Sequence, residues 1–151
     1  MSMSKSATSR TLFRRTSSVR ADQQARAPHL IERGGGAIVN TSSGASWVGE
    51  PVPARLRRVE GRYQRAHPAI ASAYGKDGIR ANVVSPGAVL SETAIRNTSE
   101  EFQARMLTAC TLERLGKPED LANTICFLLS DDADWVSGQV WSVNGGAGFR
   151  D

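Results

Sequence analysis

Apolar residues along this chain gather in short continuous runs, each closed by glycine or small polar residues. Ala37-Ile38-Val39-Asn40 ends in Thr41-Ser42-Ser43-Gly44. Ile79-Arg80-Ala81-Asn82-Val83-Val84 ends in Ser85-Pro86-Gly87, and Gln139-Val140-Trp141-Ser142-Val143 ends in Asn144-Gly145-Gly146. Runs without strict alternation predict strands covered on both faces, as in a parallel sheet. Helical signals lie between them. PHLIER (28–33) reads as the end of a helix that Gly34-Gly35-Gly36 stops. Thr98 with Glu101 forms a capping-box pattern, after which Phe102, Met106 and Cys110 recur at helical spacing. Pro118 suits a first helical position, with Glu119 and Asp120 at the positive end of the dipole. Leu121, Ile125, Leu128 and Leu129 are then expected to form the buried face of that helix. Strands alternating with helices predict an α/β sheet joined by right-handed crossovers.

In open sheets of this class ligands bind beyond the carboxyl ends of the strands. All three runs end there in small, polar or glycine-rich turns, which predicts a nucleotide-binding α/β domain. The 151 residues contain neither a Gly-x-Gly-x-x-Gly fingerprint nor a Walker loop, so the usual phosphate cradle is absent from this sequence. The length suits one domain, and 40% apolar with 23% charged residues is an ordinary globular balance. No run approaches the roughly 18 apolar residues of a spanning helix, and no secretory core opens the sequence. No membrane association is expected. Cys110 and Cys126 lie among apolar residues and suit a reducing compartment better than a disulfide scaffold, consistent with a cytoplasmic location.

The formal charge of +4 would ordinarily raise an anionic partner, but its distribution argues otherwise. Residues 1–27 and 55–68 together hold eleven bases and two acids, a net +9; the other 110 residues hold eight bases and thirteen acids, a net −5. An acidic domain is thus interrupted by two basic segments. Residues 1–27 are rich in Ser, Thr and Arg without hydrophobic periodicity, the composition of a disordered tail. An organellar transit peptide shares the Arg-rich, acid-poor composition but needs more apolar residues. Trp47, Trp135 and Trp141 form no aromatic platform, and no recognition motif is present, so nucleic acid is not an expected partner.

The stretches GGGAIVNTSSGASWVG (34–49), YGKDGIRANVVSPGAV (74–89) and LERLGKPEDLANTICFLLSDDADWVSGQVWSVNGG (112–146), in this order and spacing, resemble the carboxyl-terminal half of a short-chain dehydrogenase/reductase. With PHLIER they cover about two thirds of the chain. The resemblance implies part of a Rossmann-like, doubly wound parallel sheet that lacks its N-terminal dinucleotide-binding half. Residues 28–151 would supply that part, and residues 1–27 would be a disordered or non-family segment. It also implies NAD or NADP as cofactor, a small carbonyl or alcohol as substrate, and hydride transfer between them. Ser43 matches the catalytic serine, whose hydroxyl would stabilise charge on the substrate oxygen; a plain turn residue is the alternative reading. Pro86-Gly87 match the wall behind the nicotinamide, Val89 a residue whose backbone meets the carboxamide, and Ser91 a hydroxyl position usually held by Thr. Residues 92–111 correspond to the variable substrate-binding segment, and 118–146 to a surface through which family members form homo- or hetero-oligomers.

The same resemblance exposes departures. The family's general acid is a Tyr thirteen residues after the Ser, followed four residues later by a Lys that lowers its pKa. Here those positions are Leu56 and Glu60. Leu transfers no proton, Glu would repel a phenolate, and Tyr63 lies at the wrong spacing to substitute. The chain is therefore expected to be a truncated, inactive member. Codons for Arg55–Pro68 can be chosen within the degeneracy of the code so that, read one base later, they spell Ala-Tyr-Ala-Ala-Ser-Lys-Gly-Ala-Ile-Asn-Ala-Leu-Thr-Arg, with Tyr at 56 and Lys at 60. One base gained near codon 55 and one lost near codon 69 would explain the segment. Val19–Ala27 can hide a shorter match, Ser-Gly-Leu-Thr-Ser-Lys-His-Ala. A solvated amphipathic helix through Leu56, Val59, Tyr63 and Ala66 is the alternative for 55–68, although Pro68 would break or kink it. Poor stability is expected, because five arginines would fall where the family packs a helix against its sheet.

Overall fold

The structure, a computed structural model, describes residues 25–43 and 67–148. The expected N-terminal tail (residues 1–24 of it), the positions Leu56 and Glu60, and the amphipathic pattern through residue 66 lie outside the described residues.

Three strands form one parallel sheet in the order β1 (Gly36–Thr41), β2 (Ile79–Pro86), β3 (Val140–Val143). β2 is central, and Ile79, Ala81, Val83 and Val84 are buried along it. The near-continuous apolar character of that run thus reflects cover on both faces. Helical residues 25–32 (α1) precede β1. Gly34 and Gly35 take positive φ of 86° and 119°, and Gly35 N–H closes the turn onto Leu30 C=O at 2.9 Å. An added Cβ at Gly35 would stand 2.5 Å from Gly78 O, so only glycine brings this turn against the one that opens β2.

Helical residues 67–74 (α2) lead through a short 3₁₀ turn, Gly75–Asp77, into β2. Pro68 does not prevent residues 67–74 from being helical; its bearing on 55–66 lies outside the described residues. His67 is fully buried, and its ring is hydrogen-bonded by the Asn40 side chain of β1. After β2 come α3 (Glu92–Asn97), α4 (Glu100–Thr108) and α5 (Pro118–Leu129). α5 begins as its sequence predicts, with Pro118 in its first turn and the Asp120 carboxylate accepting Lys117 N–H at 2.7 Å. It packs against all three strands. Arg80 of β2 donates to Leu128 C=O (2.8 Å) and Ser130 C=O (2.9 Å), placing a cation on the negative end of the α5 dipole.

Three local expectations are corrected. The cap of α4 is Ser99, whose Oγ accepts Phe102 N–H; Thr98 instead turns its hydroxyl back onto Ala94 C=O at 2.6 Å and closes α3. On α5, Leu128 is fully buried but Leu129 is 48% exposed, because one helix lying on a sheet buries a single stripe and residue 129 falls beyond it. Cys126, expected among apolar neighbours, is an exposed free thiol, and Cys110 a half-buried one.

Candidate functional site

Parallel pairing brings three chain exits to one edge of the sheet. Thr41 lies opposite Val84, Ser42 N–H donates to Val84 C=O at 2.8 Å, and Ser85 and Pro86 lie opposite Ser142 and Val143. Ser42-Ser43, Pro86-Gly87 and Asn144-Gly145 therefore leave the sheet together. Gly87 N–H donates to Val143 C=O at 2.9 Å, and an added Cβ on Gly87 would stand 2.6 Å from Asn144 Cα. Only glycine allows the exits of β2 and β3 to pack backbone against backbone here.

The linker between α4 and α5 fastens both exits. Thr111 and Leu112 N–H donate to Gly145 C=O at 2.9 and 3.1 Å. Gly116 N–H donates to Ala88 C=O, and Leu90 N–H to Gly116 C=O, at 2.9 and 2.8 Å. Val89 sits between these last two bonds as a one-residue parallel bridge to Gly116. Its own N–H consequently points away from Gly116 and has no hydrogen-bond partner among the described residues. Ser91 follows as the N-cap of α3, its Oγ accepting Ala94 N–H at 3.2 Å. That use consumes a lone pair and leaves the hydroxyl hydrogen available to donate.

A cleft of about 240 Å³ lies against these exits, bounded by Val89, Leu112, Leu121, Asn144 and the Arg114–Asp120 pair. Arg114 grips Asp120 with two bonds, Nη1 to Oδ2 at 2.7 Å and Nη2 to Oδ1 at 2.8 Å. The Arg114 hydrogen bonds, then the Lys117 N–H, hold the Asp120 carboxyl well below the ordinary carboxylate range. α3 and α4, which span most of 92–111, leave Ile95, Phe102 and Leu107 exposed.

Of the sequence-derived positions, Ser43, Pro86, Gly87, Val89 and Ser91 all lie at or just beyond the carboxyl edge of the sheet. Ser43 stands two residues past β1 and is half-buried. The Val89–Gly116 bridge and the Arg114–Asp120 pair carried no warning in the sequence. The first is a backbone contact, and the second joins residues that merely look like surface charges. Among the described residues no cluster of three or more His, Cys, Asp or Glu could hold a metal ion, and no helix is long and apolar enough to cross a membrane.

Residues 2–148 match the family model described as "Enoyl-(Acyl carrier protein) reductase". A probable short-chain type dehydrogenase/reductase of Bradyrhizobium diazoefficiens is 36% identical over 119 residues, 79% of this chain and 42% of that protein. A 7alpha-hydroxysteroid dehydrogenase of Paraclostridium sordellii is 37% identical over 120 residues, 79% of this chain and 45% of that protein. A solved 7 alpha-hydroxysteroid dehydrogenase, complexed with NADH and 7-oxo glycochenodeoxycholic acid, superposes with a TM-score of 0.76 at 32% identity. It covers 82% of this chain and 48% of its own. The chain thus spans about half the length of the curated relatives it matches. The parallel sheet, the grouped strand exits and these matches together make the chain a member of the short-chain dehydrogenase/reductase family.

Proposed function

We propose that this chain is the carboxyl-terminal portion of a nicotinamide-dependent oxidoreductase for a small carbonyl or alcohol, and that in its present sequence it does not turn over. The observation that carries the first half is the unpartnered Val89 N–H beside the Gly87–Asn144 contact. It leaves a backbone donor free at the place where the family holds the carboxamide. NAD or NADP, when bound, would supply or accept the hydride. Pro86 and Gly87 would back the ring, Val89 N–H and the Ser91 hydroxyl would hold its carboxamide, and Ser43 Oγ would donate to the substrate oxygen.

Inactivity rests on Leu56 and Glu60. Without a phenol held near neutral pKa, no group at that position exchanges the proton that must accompany hydride transfer. The segment 55–68 is read as the product of a shifted frame. The coding DNA tests this reading: codons that give Tyr at 56 and Lys at 60 one base later are expected, and codons that cannot would sink it. Turnover of NADH or NADPH with carbonyl substrates is expected to be absent. A measured rate that Ser43→Ala abolishes would overturn the inactivity.

A second reading is a non-catalytic partner of an intact family member. It is favoured by the outer side of α5 and β3, where Trp135 is 97% exposed and Phe127, 38% exposed, meets Trp141 in a tilted ring pair with centroids 5.8 Å apart. Co-purification with such a member, lost on Trp135→Ser, is the expected result. A chain recovered alone, or only as aggregate, would speak against it.

A further inference from the structure

The ion pair on the rim of the cleft joins more than two side chains. The Arg114 and Asp120 side chains are 52% and 32% exposed, and exposed pairs ordinarily contribute little. This pair is set apart by what the same atoms also bind. Asp120 Oδ2 accepts both Arg114 Nη1 and Lys117 N–H, each at 2.7 Å, while Oδ1 accepts Arg114 Nη2 at 2.8 Å. Arg114 Nη1 donates as well to Leu115 C=O at 3.1 Å. One carboxylate therefore holds both ends of the span from Arg114 to Lys117, and Gly116 lies inside the closed loop. Asp120 belongs to α5, which packs against all three strands, so the loop is fixed to the body of the fold. Gly116 is also the residue that meets the exit of β2. It makes the two backbone bonds that flank Val89, and an added Cβ on it would stand 3.2 Å from both Ala88 O and Val89 Cγ2.

We propose that Arg114 and Asp120 are positioning residues: by closing the loop around Gly116 they fix the direction of the Val89 N–H, and with it the carboxamide end of a bound nicotinamide. Contact with the carboxamide rests on the nicotinamide reading proposed above; the hold on Val89 does not. The pair acts through Gly116 rather than on the reacting atoms. Such a role needs shape as well as charge. A guanidinium carries its N–H groups in a rigid fork that serves both carboxylate oxygens and Leu115 C=O at once. A lysine ammonium keeps the charge and loses the fork. Arg114→Lys thus separates the two contributions.

Amide hydrogen exchange of the full chain, read residue by residue by NMR in the parent and in Arg114→Lys, tests the hold on Val89. Leu90 and Gly116 are expected to lose protection in the variant, whereas Ala81 and Val83 of β2 and Ile125 of α5 keep theirs. Unchanged protection at Leu90 and Gly116 overturns the proposal, because charge alone then suffices. A loss shared by all these amides overturns it too, since the pair is then a general stabiliser. The Val89 amide resonance is followed in the same two samples as NADH is added. A shift in the parent that is lost in Arg114→Lys is expected, and a shift of equal size in both overturns the proposal. A silent Val89 in the parent, beside local loosening in the variant, supports the hold on Val89 and overturns the nicotinamide reading instead. Should Arg114→Lys fail to fold, Asp120→Asn, which keeps an oxygen for Lys117 N–H, is judged by the same comparison. Failure of both variants to fold overturns the proposal.

Discussion

Gly87 and Ser85 sit two residues apart at the end of β2 and respond oppositely to a methyl group. At Gly87 an added Cβ meets the Asn144 backbone at 2.6 Å, an atom that cannot swing aside. Gly87→Ala is therefore expected to cost at least about 1–3 kcal/mol, the usual penalty of overpacking, as a fall in the urea midpoint. Ser85 is 1% exposed, and its Oγ is buried with no hydrogen-bond partner among the described residues. Removing an unsatisfied hydroxyl relieves a desolvation penalty. Ser85→Ala is accordingly expected to leave the urea midpoint unchanged or to raise it. Leu128, fully buried under the sheet, gives the reference case: Leu128→Ala should cost about 2–5 kcal/mol. These differences follow from packing alone and hold whether or not a nucleotide binds.

Among the elements, α5 was the most legible in sequence, because its signals are local. Pro118, the acids behind it and Leu121, Ile125 and Leu128 define start and buried stripe within a dozen residues. The three strands were legible for a related reason, since each is a short apolar run closed by a turn. α3 escaped notice: six residues are too few to show a period, and its one clear signal, Ser91, already had a reading as a cofactor contact. The α4 cap was misplaced by one residue because adjacent Thr98 and Ser99 both suit an N-cap, and only tertiary structure shows Thr98 engaged with Ala94. The Asp120 cap also fixes a pH dependence. Its folded-state pKa lies below the unfolded value of about 3.9, so its contribution to stability is complete above that pH and fades as pH falls below it. Asp120→Asn should lower the urea midpoint at pH 7, with the gap to the parent narrowing as the solution is acidified below about pH 4.

At the scale of the molecule, the order of family-like stretches was readable in the sequence, and the parallel sheet follows that order. The sequence could not reveal how the exits are fastened, since backbone bonds between residues 88 and 116, or 111 and 145, leave no side-chain signature. The buried core is correspondingly modest: Ala27, Ala81 and Ala133 stand among its members, with Leu128 and Leu115 its only leucines among the described residues. Small side chains remove little area from water, so unfolding free energy at or below the low end of the usual range, about 5 kcal/mol, is expected by urea titration.

The threaded linker has a kinetic consequence. Gly87, Leu90, Thr111, Leu112 and Gly116 each commit their N–H to a bond that crosses between β2 exit, linker and β3 exit. None of these bonds lies inside a helix or strand that could open by fraying at its own end. The five amides should therefore exchange with solvent deuterium through one shared opening, with a common protection factor, although they are spread over thirty positions of the chain. Motion at the rim of the cleft would then be concerted: Val89 and Asn144 would loosen together or not at all.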